Sequence, residues 1–536
     1  MQRWLPILLS ITGALLLWAA WPTSPLTFLI FIAFIPILRL SDLVQHNGKF
    51  FGCIFLTLFL WNVATTWWVG NTTVPASGLA ANLINTLVMS VPVSGYHRTR
   101  KVLGTTAGYF ALIVYWLTFE YIHLSWEFSW PWLSLGNAFA MHPSWVQWYE
   151  YTGVSGGTLW ILLSNILIYH TWLQRKNYPV SLPLFLWKTA WKPALAIVIP
   201  LLLSSLVTYT FKVPEGPSAE VVIVQPNIDP YDKFADENAN MQLQKMISLS
   251  KEKTDSNTAY IIWPETALFT RGAWENQLSY EWEVKQIRQL LLQYPHASLV
   301  SGATTLKRYN EADGIPKGSR TAEDGTIHYD AFNSAIQVDT SGNVQIYHKA
   351  RLVPGVEIIP YVRYLSFMKE LALDLGGISG GYGITPGVRL LEDTRKHINV
   401  LPAICYESVY GEFVAEHVRN GANLLFIVTN DGWWGNTEGH RQHLQYARLR
   451  AIETRRWVAR SANTGISAII DPLGKIQQTL PYWKEGVIKG TVTPAASFTF
   501  YVKFGDLISR TAIAFCILVI AFSFYQKYTR RKRLIN

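Results

Sequence analysis

The sequence predicts an α-helical membrane bundle of eight spans joined to one layered α/β domain. Three observations carry that expectation. Only 15% of the 536 residues are charged, against about 25% in soluble domains, so lipid replaces water around much of the surface. Charge-free apolar stretches recur through residues 1–212 and once more near the C-terminus. Between them, residues 213–500 carry short β-rich runs separated by helical patterns, as an α/β fold requires.

Trp4 to Leu38 holds no charge and is interrupted by Pro22 and Pro25, which predicts two spans joined by a tight turn. Phe50 to Tyr96 is again charge-free, with a polar break from Gly70 to Gly78, giving the third and fourth. Residues 102–121, 154–172, 193–211 and 507–525 complete the eight, each near the ~20 residues that cross a hydrocarbon core. Arg3 and the apolar run behind it imitate a signal peptide, but a second span follows with no soluble stretch, so an uncleaved anchor is expected. The expected organisation is a membrane domain of seven spans (1–212), an extracytoplasmic α/β domain (213–500), and an eighth span with a basic tail (501–536).

The net charge of +10 is not a nucleic-acid signature, because the cations are confined to alternate loops. Arg3, Arg39, Lys49, Arg98, Arg100, Lys101, Arg175, Lys176, Lys188, Lys192 and the tail from Lys527 to Arg533 share one side, while loops 22–25, 70–78 and 122–153 contain no Lys or Arg. The positive-inside rule then places both termini in the cytoplasm and residues 213–500 outside it. Three cysteines in the chain exclude a disulfide framework.

Within 213–500 the strand-like runs are Val221–Gln225, Tyr260–Trp263, Ser298–Ser301, Ser334–Val338, Asn399–Ile404 and Asn423–Thr429, with helical patterns at Met241–Lys251 and His440–Trp457. Three chemically capable residues follow such runs: Glu265 in Trp-Pro-Glu-Thr, Lys349 in Tyr-His-Lys-Ala-Arg, and Cys405 in Cys-Tyr-Glu. Cys405 is the only cysteine outside an apolar span. Strand ends of α/β sheets hold reacting groups because the sheet fixes them while the loops leave room for substrate. A carboxylate, an ammonium and a thiol held together make an acyl-transfer set: Glu265 takes the thiol proton, Cys405 attacks a carbonyl, and Lys349 stabilises the oxyanion. The thiol needs that help, since its free pKa of about 8.5 leaves a few per cent thiolate at neutral pH.

Trp-Pro-Glu265, His-Lys349-x-x-Leu-Val-Pro and Cys405-Tyr-Glu together resemble the carbon–nitrogen hydrolase (nitrilase) superfamily with its Glu-Lys-Cys triad. The added spans resemble its membrane branch, the apolipoprotein N-acyltransferases, as do Val224-Gln-Pro-Asn-Ile228, Trp130-Pro-Trp-Leu-Ser-Leu-Gly136, Asn430-Asp-Gly-Trp-Trp-Gly435 and Arg460-Ser-Ala-Asn-Thr-Gly465. The resemblance implies a nitrilase-like αββα sandwich, no cofactor, and two steps. An acyl chain passes from a phospholipid to Cys405 as a thioester. It then passes to the free amine of the N-terminal diacylglyceryl-cysteine of an apolipoprotein, at a bacterial inner membrane with the catalytic domain in the periplasm. It implies that Glu357 orients the lysine and that Tyr406, Glu407 and Trp434 support the site. Phe234, where some relatives carry Trp, and Pro354-Gly-Val-Glu357, where they carry Pro-Phe-Gly-Glu, depart from the pattern.

Other residues carry plainer expectations. His348, His440 and His443 are read as hydrogen-bonding groups without a metal. Residues 361–387, an apolar helical pattern followed by five glycines, divide between a core helix and a membrane-touching lid. The arginines from Arg441 to Arg460 are read as a helix face paired with Glu438 and Glu453. The rival functions are a membrane-tethered amidase using the same triad with water as acceptor, and a transporter, which would need charges deep within spans.

Overall fold

Strands β1 to β7 form one sheet of the α/β region because their apolar residues need cover on both faces. They run Ala219–Gln225, Thr258–Ile262, Leu268–Trp274, Ser298–Tyr309, Arg320–Thr321, His328–Val338 and Val344–His348. With the last strand of the chain, β14 (Gly486–Val492), they make an eight-stranded sheet in the order β14-β1-β2-β4-β6-β5, β3 pairing with β4 and β7 with β6. A second sheet of six holds β8 (Leu391–Asp393), β9 (Ile398–Ile404), β10 (Leu424–Thr429), β11 (Val458–Ala462), β12 (Ser467–Ile470) and β13 (Ile476–Leu480), in reverse numerical order from β13 to β8. The computed structural model describes residues 3–72, 75–175, 181, 188–213, 216–231, 233, 238–310, 314–316, 319–322, 325–361 and 381–535.

Both sheet centres are parallel: β1 with β2, β2 with β4, β9 with β10, and β10 with β11. Parallel strands are buried on both faces, which explains why β2 and β10 are apolar and buried throughout. The sheets face each other, with Tyr260 of β2 edge-on to Phe426 of β10 at 5.2 Å and Ser461 Oγ of β11 donating to the Val224 carbonyl of β1 at 2.9 Å. Helices Ala239–Lys253 and Trp282–Gln293 cover the outer face of the first sheet through Leu243, Met246, Val284 and Ile287, which pack with Val222, Ile261 and Leu299. Helices Gly411–Arg419 and Glu438–Thr454 accompany the second sheet. The layering is αββα.

Two compact units result. One holds residues 1–67, 78–211 and 504–536; the other holds 212–503 together with Trp68–Ser77, a segment whose sequence reads as a polar break between spans. Four helices among the described residues are long and apolar enough to cross a membrane: Asn47–Asn71, Pro75–Leu103, Trp191–Thr210 and Leu507–Arg533. The others expected as spans are shorter or more polar. Leu5–Ala19 has 15 residues, and the second half of the 4–38 stretch folds as the 3-10 turn Thr27–Phe31 and the nine-residue helix Ile35–Leu43, since Pro25 and Pro36 interrupt one long helix. At 1.5 Å per residue that last helix covers about half the hydrocarbon thickness. Several polar side chains inside the first unit bond to one another across helices. Asn85 Nδ2 donates to Asn62 Oδ1 (2.6 Å), His123 Nε2 lies 2.8 Å from Asn85 Oδ1, and Glu120 accepts from Trp116 Nε1, the Leu135 amide and Thr158 Oγ1.

Ile261 has no exposed surface and sits at the centre of the first sheet's core. Ile261→Ala is expected to lower unfolding free energy by about 2–5 kcal/mol, read from denaturant melts of the full chain in detergent.

Candidate active site

The parallel strands bring their C-terminal ends to one place. Glu265 follows β2, Lys349 follows β7, Cys405 follows β9 and Asn430 follows β10. Glu265 is presented by a tight turn, with Thr266 at φ +47°. The turn lies against β4 at Gly302, where an added Cβ would stand 2.6 Å from the Thr266 nitrogen. On its other side Lys233 Nζ donates to the Glu265 carbonyl (2.7 Å) and Thr266 Oγ1 (2.9 Å). Lys233 is almost fully buried, and that burial pushes its pKa down to about 7 against the pull of Glu265.

Lys349 is 1% exposed. Its Nζ donates to Glu265 Oε1 at 3.2 Å and to Glu357 Oε1 at 2.8 Å, and Asn333 Nδ2 donates to the same two oxygens at 2.9 Å each. Glu265 Oε2 accepts from the Asn430 amide (3.0 Å) and Glu357 Oε2 from the Val353 amide (2.8 Å). Burial opposes the ammonium, but Glu265, Glu357 and Cys405 outweigh it and hold Lys349 well above its ordinary range.

Cys405 is buried, at φ +49°, where β9 turns into the 3-10 segment Cys405–Val409. A β-carbon in the left-handed region costs roughly 1–3 kcal/mol and persists only where surroundings over-determine it. Here they do. The Cys405 carbonyl accepts from Ser408 Oγ (2.7 Å) and lies 3.1 Å from His443 Nε2. Burial pushes the thiol well above its usual range, Glu265 and Asp431 add to the rise, and Lys349 and the Thr429 hydroxyl oppose it. These surroundings favour the thiol form of the sulfur.

Glu407 ties the nucleophile turn to the lysine loop. It accepts from the Ile404 amide (2.8 Å), the Ala350 amide (2.6 Å) and Tyr347 Oη (2.9 and 3.0 Å). Burial pushes it up to about 7, against those hydrogen bonds and the Lys349 charge. Tyr406 is buried edge-on to Tyr410 at 5.2 Å. Trp434 stands 5.5 Å from the His443 ring. Phe234 lies outside the described residues, as does 362–380, most of the segment read as a core helix or lid.

Cys405, Asp431 and His443 place one donor atom each within 4.8 Å of one another, a spacing that a metal ion could use. The chemistry of the set favours a hydrogen-bond network instead. Arg460 donates to Asp431, His443 Nδ1 lies 3.0 Å from the same carboxylate, and Thr429 Oγ1 donates to it at 2.6 Å. A guanidinium thus occupies the position of a counter-charge, and it holds Asp431 far below the usual carboxylate range despite burial. The arginine run is only partly the helix face read from sequence. Arg441 and Arg450 pair with Glu438 and Glu453, whereas Arg448, Arg455 and Arg456 donate to backbone carbonyls and Arg460 sits on β11.

The carbon-nitrogen hydrolase family pattern matches residues 220–497, and that of the apolipoprotein N-acyltransferase N-terminal domain matches residues 13–167. The chain is 29% identical over 520 residues to the apolipoprotein N-acyltransferase of Chlorobaculum tepidum, covering 95% of this chain and 94% of that one. It is 30% identical over 426 residues to that of Rickettsia typhi, covering 77% and 76%. The chain belongs to the apolipoprotein N-acyltransferase family. Similarity over 97% of the chain extends to the Geobacter metallireducens member, at 26% identity. For a member of this family, the nitrilase-like domain and the apolar helices are two parts of one enzyme.

Asn333, Lys233 and the Asp431–His443–Arg460 group escaped the sequence reading as site residues. Asn333 had a signal, a polar residue inside a buried stretch of β6. Asp431 and Arg460 lay within motifs, but nothing in their spacing paired them across strands. Lys233→Met is expected to lower Cys405 acylation with little change in the amount of folded protein, since the Glu265 turn loses one of its two supports. Glu407→Gln, which turns an amide NH₂ toward backbone donors, should cost about 1–3 kcal/mol and slow acylation further, as followed by thermal melts and acyl-enzyme accumulation.

Proposed function

We propose that this chain transfers an acyl chain from a phospholipid, through a thioester on Cys405, to the N-terminal amine of the diacylglyceryl-cysteine of an apolipoprotein. The observation that carries the reading is the buried hydrogen-bonded group of Glu265, Lys349 and Glu357 beside a thiol held on a strained turn. Glu265 takes the Cys405 proton as sulfur attacks the ester carbonyl, and Lys349 donates to the developing oxyanion. Collapse breaks the ester C–O bond, and Glu265 returns the proton to the departing lysophospholipid alkoxide. The incoming amine then attacks the thioester carbonyl, yields its proton to Glu265, and expels the sulfur, which recovers that proton. No cofactor enters either step.

Glu357, Asn333 and the Asn430 amide hold the acid and the ammonium in place, Glu407 fixes the two loops, and Tyr406 and Trp434 support the nucleophile. The membrane arrangement is part of the proposal: eight spans at a bacterial inner membrane, both termini cytoplasmic, with 213–500 periplasmic. The loop charges support it. Donor and acceptor both anchored in lipid account for tethering the catalytic domain to a bundle.

Purified protein incubated with labelled phospholipid should carry an acyl group on Cys405 by mass spectrometry, and Cys405→Ala should carry none. Adding a diacylated lipopeptide should discharge it as N-acyl product; free fatty acid alone would favour hydrolysis. The charges around the thiol fix a further expectation. Glu265 raises the thiol pKa and Lys349 lowers it, so Glu265→Gln should move the pH midpoint of Cys405 alkylation down and Lys349→Met should move it up. Both variants should nevertheless lose acyl transfer.

A further inference from the structure

Residues 68–77 belong to the compact unit that holds the site, although they span the end of one long apolar helix, Asn47–Asn71, and the start of the next, Pro75–Leu103. Trp68 is 2% exposed. Its ring lies 4.9 Å from that of Trp434, tilted by 53°, and Asn71 Nδ2 donates to the Trp434 carbonyl at 3.1 Å. The start of helix Glu438–Thr454 is shaped for this indole, since a Cβ on Gly439 would stand 2.7 Å from its ring atoms. Trp434 in turn stands 5.5 Å from His443, inclined at 66°, and His443 Nε2 lies 3.1 Å from the Cys405 carbonyl oxygen. The contacts are continuous from Trp68 through Trp434 and His443 to the peptide that carries the nucleophile.

We infer that Trp68, assisted by Asn71, is a positioning residue for acyl transfer: it seats Trp434, and through His443 it keeps the Cys405 peptide in its left-handed conformation. The inference rests on Cys405 as the nucleophile. Its physical basis is the strain of that peptide. A residue at φ +49° relaxes unless its carbonyl is held, one holder is His443, and His443 is packed from the side by Trp434. The contacts of Trp68 described above are with Trp434 and the start of helix Glu438–Thr454, so its effect travels through orientation. A small misplacement of a nucleophile is enough to change rate strongly.

The test uses the full chain in detergent, with Trp68→Ala, Trp68→Phe, Asn71→Ala, Trp434→Ala and the Trp68→Ala/Trp434→Ala double variant. Single-turnover acylation by phospholipid and alkylation of Cys405 by iodoacetamide are measured on each. Trp68→Ala should slow acylation by about tenfold, with KM for phospholipid changed by less than about twofold. Trp68→Phe should recover most of that loss, and Asn71→Ala should show a smaller loss. The double variant should be no slower than Trp434→Ala, because both changes cut one chain of contacts. Acylation of Trp68→Ala at the parent rate, or losses that multiply in the double variant, would overturn the inference. If Trp68→Ala does not fold, the Phe and Asn71 variants decide it by the same two readouts. A parent protein that never carries an acyl group would sink the acyltransferase reading instead; the alkylation series would still decide this inference, through an altered Cys405 rate in Trp68→Ala that Phe restores.

Discussion

One ammonium holds this active site together. Lys349 Nζ sits between Glu265 and Glu357, and Asn333 bridges the same two oxygens from the side. Two carboxylates this close would repel each other in a buried setting, and the lysine between them offsets that repulsion. At about 3 Å and an effective dielectric near 20, each contact is worth roughly 5 kcal/mol, while burying each ion costs several. The terms nearly cancel, so the cluster adds little to stability. Its effect is geometric: it fixes the proposed base and oxyanion donor on one rigid scaffold.

The same neighbourhood sets the state of the thiol. A thiolate at Cys405 would be buried beside Glu265 and Asp431 as well as Lys349. Burial and Glu265 both keep the sulfur protonated. In the proposed reaction, proton removal therefore accompanies attack on the acyl carbonyl. Other cysteine enzymes store a thiolate beside a positive group; this site has the opposite balance.

Strain and close approach position the remaining parts. The turns bearing Glu265 and Cys405 contain non-glycine residues in the left-handed region, at Thr266 and at Cys405 itself. The first is held by Gly302 and Lys233, the second by Ser408, His443 and Glu407. Glu407 reaches both the Cys405 turn and the Lys349 loop, so the nucleophile and the ammonium cannot shift independently.

Much of this was written locally in the chain. Apolar runs bounded by turn residues announced β1, β2, β4, β6, β9 and β10, and the three reactive residues were visible at strand ends because turn chemistry and strand chemistry are both short-range. The weakly patterned strands β11 to β14 were not visible, since β13 exposes most of its side chains and β11 carries Arg460 and Ser461 inward. The early helices Leu5–Ala19 and Ile35–Leu43 are shorter than the stretch read as two spans, because the 3-10 turn Thr27–Phe31 lies between them. By itself, then, the sequence determined the two-part character of the protein, the three residues proposed as base, ammonium and nucleophile, and the sign of the loop charges. Only the tertiary structure decided which polar groups meet: Asn333 with two glutamates, Lys233 with the Glu265 turn, Arg460 with Asp431, and Trp68 with Trp434. Those partners lie tens to hundreds of residues apart, and a pairing across that distance depends on strand order and register, which no local pattern encodes.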